Sequence, residues 1–286
     1  MEKKRDIQWY PGHMAKAIRQ IREQLKLVDL VIEVLDARIP RSSGNPEMDG
    51  IAQGKLRLIV LAKSDLSCPD VTRQWIKSYE HAGICAVAVD ARSKKDIQTV
   101  VSRIMQLAEE KKERDARRGI RFRPVRALVA GIPNVGKSTL INSLSSRAVA
   151  KTGNKPGVTK GQQWIKSKRG YELLDTPGLL WPKFSDPIVG EHLAMIGTMP
   201  DDLELMPAQE MAEHIIRYGL EAWPETLSEQ YGIVPTMNVQ EMLDAVAQSI
   251  HAVKSGGDPD HDKAARVLID RFRKGQLGKV SLEECE

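Results

Sequence analysis

The sequence predicts an α/β fold with a mostly parallel sheet, followed by a smaller all-α domain, and three observations predict it. Five apolar runs of strand length occur before residue 176, at 30–36, 56–62, 84–90, 125–131 and 171–175. Stretches with helical spacing lie between most of them. Polar motifs follow directly on four of the runs. Runs that are apolar throughout and separated by helices are the mark of parallel strands covered on both faces.

The elements follow in order. In residues 14–27, Ile18, Ile21 and Leu25 recur at three- and four-residue steps, with Lys16, Arg19, Arg22 and Lys26 on the other side of an amphipathic helix. The first run, LVIEVLD, precedes the turn-forming RIPRSSGNP. LRLIVLA, ICAVAVD, VRALVAG and YELLD are the other four, with helical patterns at 71–82, 94–112 and 137–144. Past Trp181 and Pro182 the strand-like runs stop. Residues 207–222, 237–254 and 262–274 have helical periodicity, so the expected division is 1–185 and 186–286.

Composition narrows the classes. Of 286 residues, 41% are hydrophobic and 28% charged, and the mean hydropathy is -0.36, which fits a globular protein and excludes a disordered one. The longest apolar runs are strand-sized and the first residues carry no leader, so a cytoplasmic location with no membrane partner is expected. Cys68, Cys85 and Cys285 are too scattered for a disulfide framework or a zinc site. A net charge of +5 admits a polyanionic partner. Its clustering says more: Lys111, Lys112, Arg114, Arg117, Arg118, Arg121, Arg123 and Arg126 share one stretch, and Lys263, Arg266, Arg271, Arg273, Lys274 and Lys279 another. A solvated face and nucleic-acid contact are both open readings of such runs.

The motifs carry the chemistry. AGIPNVGKSTL, from Ala130, has the glycine, lysine and hydroxyl spacing of a P-loop, with a strand before it and a helix after it. Its glycines let backbone N–H groups approach phosphate, Lys137 neutralises β/γ charge, and Ser138 supplies a hydroxyl to Mg2+. Asn134, Val135, Gly136 and Thr139 complete the loop. Asp175 of DTPG is the candidate second metal ligand, and the Gly178 N–H is placed to meet a γ-phosphate. AKSD, residues 62–65, follows the second run. Its Asp65 can accept from guanine N1–H and N2–H₂, a donor pair that adenine lacks, and Lys63 lies along the base. Ala62, Ser64, Asp90 and Ala91 fall on the same edge, because ligands of such sheets bind outside the carboxyl ends of the strands.

Together the segments QWYPGHMAKA, DARIP, GIPNVGKSTLIN, KPGVT, QQW and LLDTPGLLWPKF closely resemble those of the circularly permuted GTPases. The resemblance implies that base-reading motifs precede the P-loop, that switch segments follow it, and that a helical RNA-binding domain comes last. It implies a GTP/GDP switch on the large ribosomal subunit and its rRNA, with no DNA partner. It also implies Thr159 in the Mg2+ shell and Asn134 as a K+ ligand, although a plain turn-former reads equally well at Asn134. Where a water-orienting glutamine normally follows DTPG, this chain has Leu179 and Leu180, and the resemblance points instead to His13 as the catalytic group; an isolated helix-initiating histidine is the blander reading. Two positions depart from the pattern: Ala62 stands where asparagine is usual, and Asp90 where serine often begins the base-backing loop. An RNA-binding module with a degenerate nucleotide pocket and a small-molecule P-loop kinase are the alternatives. The DTPG and AKSD motifs count against the kinase.

Overall fold

Leu30–Asp36 is buried at every position, and this strand, β1, is the middle of the protein's sheet. The computed structural model describes residues 23–120, 123–145, 163–167, 169–176, 178, 184, 186–199 and 206–285. His13, Thr159, Leu179, Leu180 and most of the expected first helix lie outside them. Leu25–Leu27 forms a single 3-10 turn before β1.

Five parallel strands and one antiparallel edge strand form a sheet of order β3-β2-β1-β4-β6-β5. The strands are β1, β2 (Leu56–Ala62), β3 (Cys85–Val89), β4 (Val125–Gly131), β5 (Gln163–Lys166) and β6 (Tyr171–Asp175). The expected five are present, and β5 is an addition that the sequence did not suggest. Helices α1 (Met48–Ala52), α2 (Pro69–His81), α3 (Lys94–Arg117) and α4 (Lys137–Ser145) make the crossovers. Local chemistry sets their starts. Pro69 opens α2, where its missing N–H costs nothing, and the Ser93 side chain caps α3 by accepting from Asp96 N–H at 3.3 Å.

The basic stretch at the end of α3 is partly structural. Arg123 donates to Asp29 from Nη1 and Nη2, at 2.7 and 2.8 Å, and Lys111 adds a 3.5 Å pairing to the same carboxylate. Arg126 pairs with Glu172 and lies over the Trp164 ring. These cations stitch β1, β4 and β6 together at the sheet's far edge. They correct the view of the whole run as a free basic face.

The chain divides into two compact units, Met1–Asp186 with Ser281–Glu286, and Pro187–Val280. The second is helical: α5 (Pro187–Met195), α6 (Ala208–Ala222), α7 (Pro224–Tyr231), α8 (Val239–Ser249) and α9 (His261–Arg273). Ile215 and Ile216 of α6, Val246 of α8 and Leu268 and Phe272 of α9 are fully buried in its core. Gly219 is obligatory there, since a Cβ would come within 2.3 Å of the Trp223 ring. Arg273 donates to the carbonyls of Ala194 and Met195, so this cation too is internal.

The last residues return to the first unit, whereas the sequence placed them in the helical one. Leu282 N–H donates to Arg38 O at 2.9 Å, and the Glu283 carboxylate accepts from the Arg41 and Ser42 N–H groups at 2.7 and 3.0 Å. Trp75 Nε1–H donates to Glu283 O at 3.3 Å.

Candidate functional site

One close strand contact and two left-handed residues shape the phosphate loop. At the end of β4, a Cβ on Gly131 would lie 2.4 Å from Val34 O, so only glycine lets β4 close against β1 here. The loop then turns through left-handed residues, Asn134 at φ 57° and Gly136 at φ 107°. Val135 is buried, and α4 starts at Lys137 with Leu140 N–H donating to Gly136 O. Lys137 is 7% exposed and its Nζ donates to Ile132 O at 2.7 Å, which curls the side chain back over the loop. Burial pushes its pKa down to about 8, and the Asp175 carboxylate offsets only part of that. Ser138 is half-buried and Thr139 exposed on the first turn.

DTPG lies against this loop. Asp175 pairs with Val129 across β6 and β4, and Thr176 Oγ1–H donates to Val129 O at 2.7 Å. A Cβ on Gly178 would sit 2.7 Å from the Pro133 backbone, so the glycine permits the approach. Asp175 and Ser138 are hard oxygen donors, the kind that Mg2+ takes singly when phosphates and water supply its other ligands. That fits the residues present. Among the described residues, no group of three or more His, Cys, Asp or Glu is placed to hold a metal unaided.

The base side is built around β1 and β2. Lys63 leaves β2 in a left-handed conformation, φ 56°, which swings the following 3-10 turn, Ser64–Leu66, across the sheet edge. Its Nζ pairs with Asp36 at 3.1 Å. Asp36 is fully buried and also receives the Arg38 guanidinium through two 2.8 Å bonds. Burial works against its charge, but Arg38 and Lys63 hold the carboxyl well below the usual carboxylate range. Asp65 accepts from Arg92 Nη2 at 2.5 Å, and Arg92 also pairs with Asp90 at 3.0 Å.

Two links bring the base side to the phosphate side. Ala62 is 3% exposed, and its Cβ is 3.9 Å from the place where Gly136 would carry one. Ser143 of α4 donates to Ala91 O at 2.9 Å. Segments that are remote in sequence thus meet at one edge of the sheet. The sequence named the P-loop, AKSD, DTPG and the loop at Asp90 and Ala91, and all four gather there. It gave no role to Asp36, Arg38 or Arg92, although an aspartate closing an apolar strand with arginine two residues on is a readable sign of a buried pair.

This fold and loop arrangement define a P-loop GTPase in which the base-side segments precede the phosphate loop along the chain. A family model described as 50S ribosome-binding GTPase matches residues 126–230, beginning at β4. The ribosome biogenesis GTPase A of Bacillus cereus is 44% identical over 98% of this chain and 94% of its own length. That of Thermotoga maritima is 30% identical over 98% and 95%. The crystal structure of GNP-bound YlqF from T. maritima covers 94% of this chain and 98% of its own, with a TM-score of 0.67 at 26% identity. The chain belongs to the ribosome biogenesis GTPase A family and is a GTP-hydrolysing enzyme. Hydrolysis in GTPase families goes with Mg2+. Among the described residues, no helix is long and apolar enough to cross a membrane.

Proposed function

We propose that the protein is a guanine-nucleotide switch that acts on the large ribosomal subunit during its late assembly, gripping rRNA through its helical unit. In this reading Asp65 accepts from guanine N1–H and N2–H₂, the Lys63 stem lies along the purine, and Ala62, Ser64, Asp90 and Ala91 border the ring. Backbone N–H groups of Val135, Gly136, Lys137, Ser138 and Thr139 surround the phosphates at the N-terminus of α4. The Lys137 ammonium meets the β/γ oxygens, and Gly178 N–H meets the γ-phosphate.

Ser138 and Asp175 would hold Mg2+, joined by Thr159 with GTP, and the ion would supply neutralisation of charge on the phosphate oxygens. Asn134 would hold K+ near the same oxygens, where the ion would supply positive charge, and His13 would orient the attacking water. Loss of the γ-phosphate frees Gly178 and the chain after it, which leads directly into the helical unit. Lys263 and Arg266, exposed on α9, supply cations for phosphate contact.

The observation that carries this reading is the meeting of Ala62 with Gly136 and of Ala91 with α4, which sets Asp65 and Lys137 at one edge. Co-sedimentation with large subunits tests it. Retention with a non-hydrolysable GTP analogue and release with GDP are expected. Equal retention in the two states overturns the switch.

A further inference from the structure

Three charged side chains meet beside the turn assigned to the base. Arg92 Nη2–H donates to Asp65 Oδ2 at 2.5 Å, Nε–H to Asp90 Oδ1 at 3.0 Å, and Nη2–H to Asp90 Oδ2 at 3.2 Å. The loop is folded to hold this triad. Arg92 N–H donates to Asp90 Oδ1 at 2.9 Å, Asp90 N–H donates to Asp96 Oδ2 at 2.9 Å, and Ala91 O is fixed by Ser143. Asp65 and Asp90 are 27% and 24% exposed in their side chains, against 74% for Arg92, so the carboxylates are partly sheltered and the guanidinium covers them from outside.

Two like charges sharing one cation repel when the cation is removed. Asp90 therefore pushes the Asp65 carboxylate out of place unless Arg92 stands between them. The need is greater in this chain because Ala62, at the start of the same turn, has no polar group with which to tie the turn to the phosphate loop. A carboxylate has about four lone-pair sites, so Asp65 can accept from Arg92 on Oδ2 and still offer both oxygens to a purine edge. Arg92 holds the carboxylate plane in one orientation.

We infer that Arg92 is a specificity-determining residue: it clamps Asp65 against the repulsion of Asp90 so that both carboxylate oxygens read guanine, and preference for the 2-amino group passes through it. The inference rests on the proposal that Asp65 meets the base. Arg92 is a positioning residue and touches the purine only through Asp65.

Equilibrium binding of GDP, IDP and ADP to the full chain tests it, with Arg92→Ala and the double variant Asp90→Ala/Arg92→Ala beside the wild type. IDP lacks the 2-amino donor and so reports on the second Asp65 oxygen. Arg92→Ala is expected to weaken GDP about tenfold and IDP only about twofold, narrowing the GDP/IDP preference about fivefold. The double variant should regain about threefold in GDP affinity, because the repelling charge is gone. An unchanged GDP/IDP ratio in Arg92→Ala, equal losses for the two nucleotides, or a double variant no tighter than the single one overturns the clamp. A wild type that prefers ADP or shows no preference between GDP and ADP removes the Asp65 assignment itself, and that result is visible before any variant is made.

Discussion

Lys137 and Asp36 are both buried charges at the carboxyl edge of one sheet, and their surroundings treat them in opposite ways. Asp36 is enclosed by two cations of the chain itself, Arg38 at 2.8 Å and Lys63 at 3.1 Å, and its charge is favoured despite complete burial. Lys137 has a backbone carbonyl at 2.7 Å and only the partial offset of Asp175, and burial drives its pKa down to about 8. A buried charge that its neighbours satisfy belongs to the scaffold. One that they under-satisfy is held ready for an anion, and the difference separates the frame of the base side from the working part of the phosphate side.

Asp36→Ala tests the scaffold role of this charge most severely. It leaves the Arg38 guanidinium, 1% exposed, buried without its carboxylate, and cutting a buried pair on one side costs about 3–5 kcal/mol. Urea unfolding should show a loss of that size. The double variant Asp36→Leu/Arg38→Met removes both charges and should recover most of it. Similar losses in the single and double variants would show that Asp36 is not a scaffold charge.

Lys137→Met should do the reverse. It removes a charge that the interior only partly compensates, so unfolding by urea should be unchanged or need more denaturant, while GTP turnover falls by about 10²–10³. The pH dependence follows from the same shift. The unfolded chain keeps this proton up to the ordinary lysine value of 10.5, whereas the folded chain releases it near 8. Between those values the unfolded state binds more protons, so stability without nucleotide rises with pH, and below 8 the burial cost is present in full. Phosphate favours the charged lysine and raises its pKa again. GDP affinity should therefore be full below pH 8 and decline above it, by up to about tenfold per pH unit. Lys137→Arg stays charged throughout and should lack this component, which separates it from titration of the purine.

How much of this could be read in advance depends on whether a residue's partner is near it in sequence. The parallel strands were legible because burial on two faces turns each into an unbroken apolar run. β5 was not, since QWIK is four residues long and only Ile165 among its described side chains is fully buried. α7 escaped because it is short and buries just Leu227 and Tyr231. Within the site, the P-loop and DTPG announced themselves by local chemistry, glycines at fixed offsets from a lysine and an aspartate. Arg92 has no role of its own in the sequence, because its partner Asp65 lies 27 positions away and only the fold brings the two together. The tail is the extreme case. Nothing in SLEEC hints that Glu283 will accept N–H bonds from Arg41 and Ser42, because those donors are backbone groups 241 and 242 positions distant.

Ala62→Asn tests, through a more modest change, whether the two sides can be joined more tightly than they are. Ala62 ends β2 under the phosphate loop, 3.9 Å from the position of a Gly136 Cβ, with no side-chain atom able to hydrogen-bond across that gap. An asparagine amide is long enough to span it and carries both a donor and an acceptor. One added hydrogen bond of this kind is worth about 0.5–1.5 kcal/mol net, so Ala62→Asn should tighten GDP by up to about tenfold. The site is 3% exposed, and the extra volume works against the gain by crowding the loop. Calorimetric titration separates the two effects. Tighter GDP binding together with an unchanged melting temperature would mean that the base and phosphate sides are loosely coupled here and that the missing amide is the reason. Weaker binding would mean that the packing of Ala62 against the loop is itself the coupling.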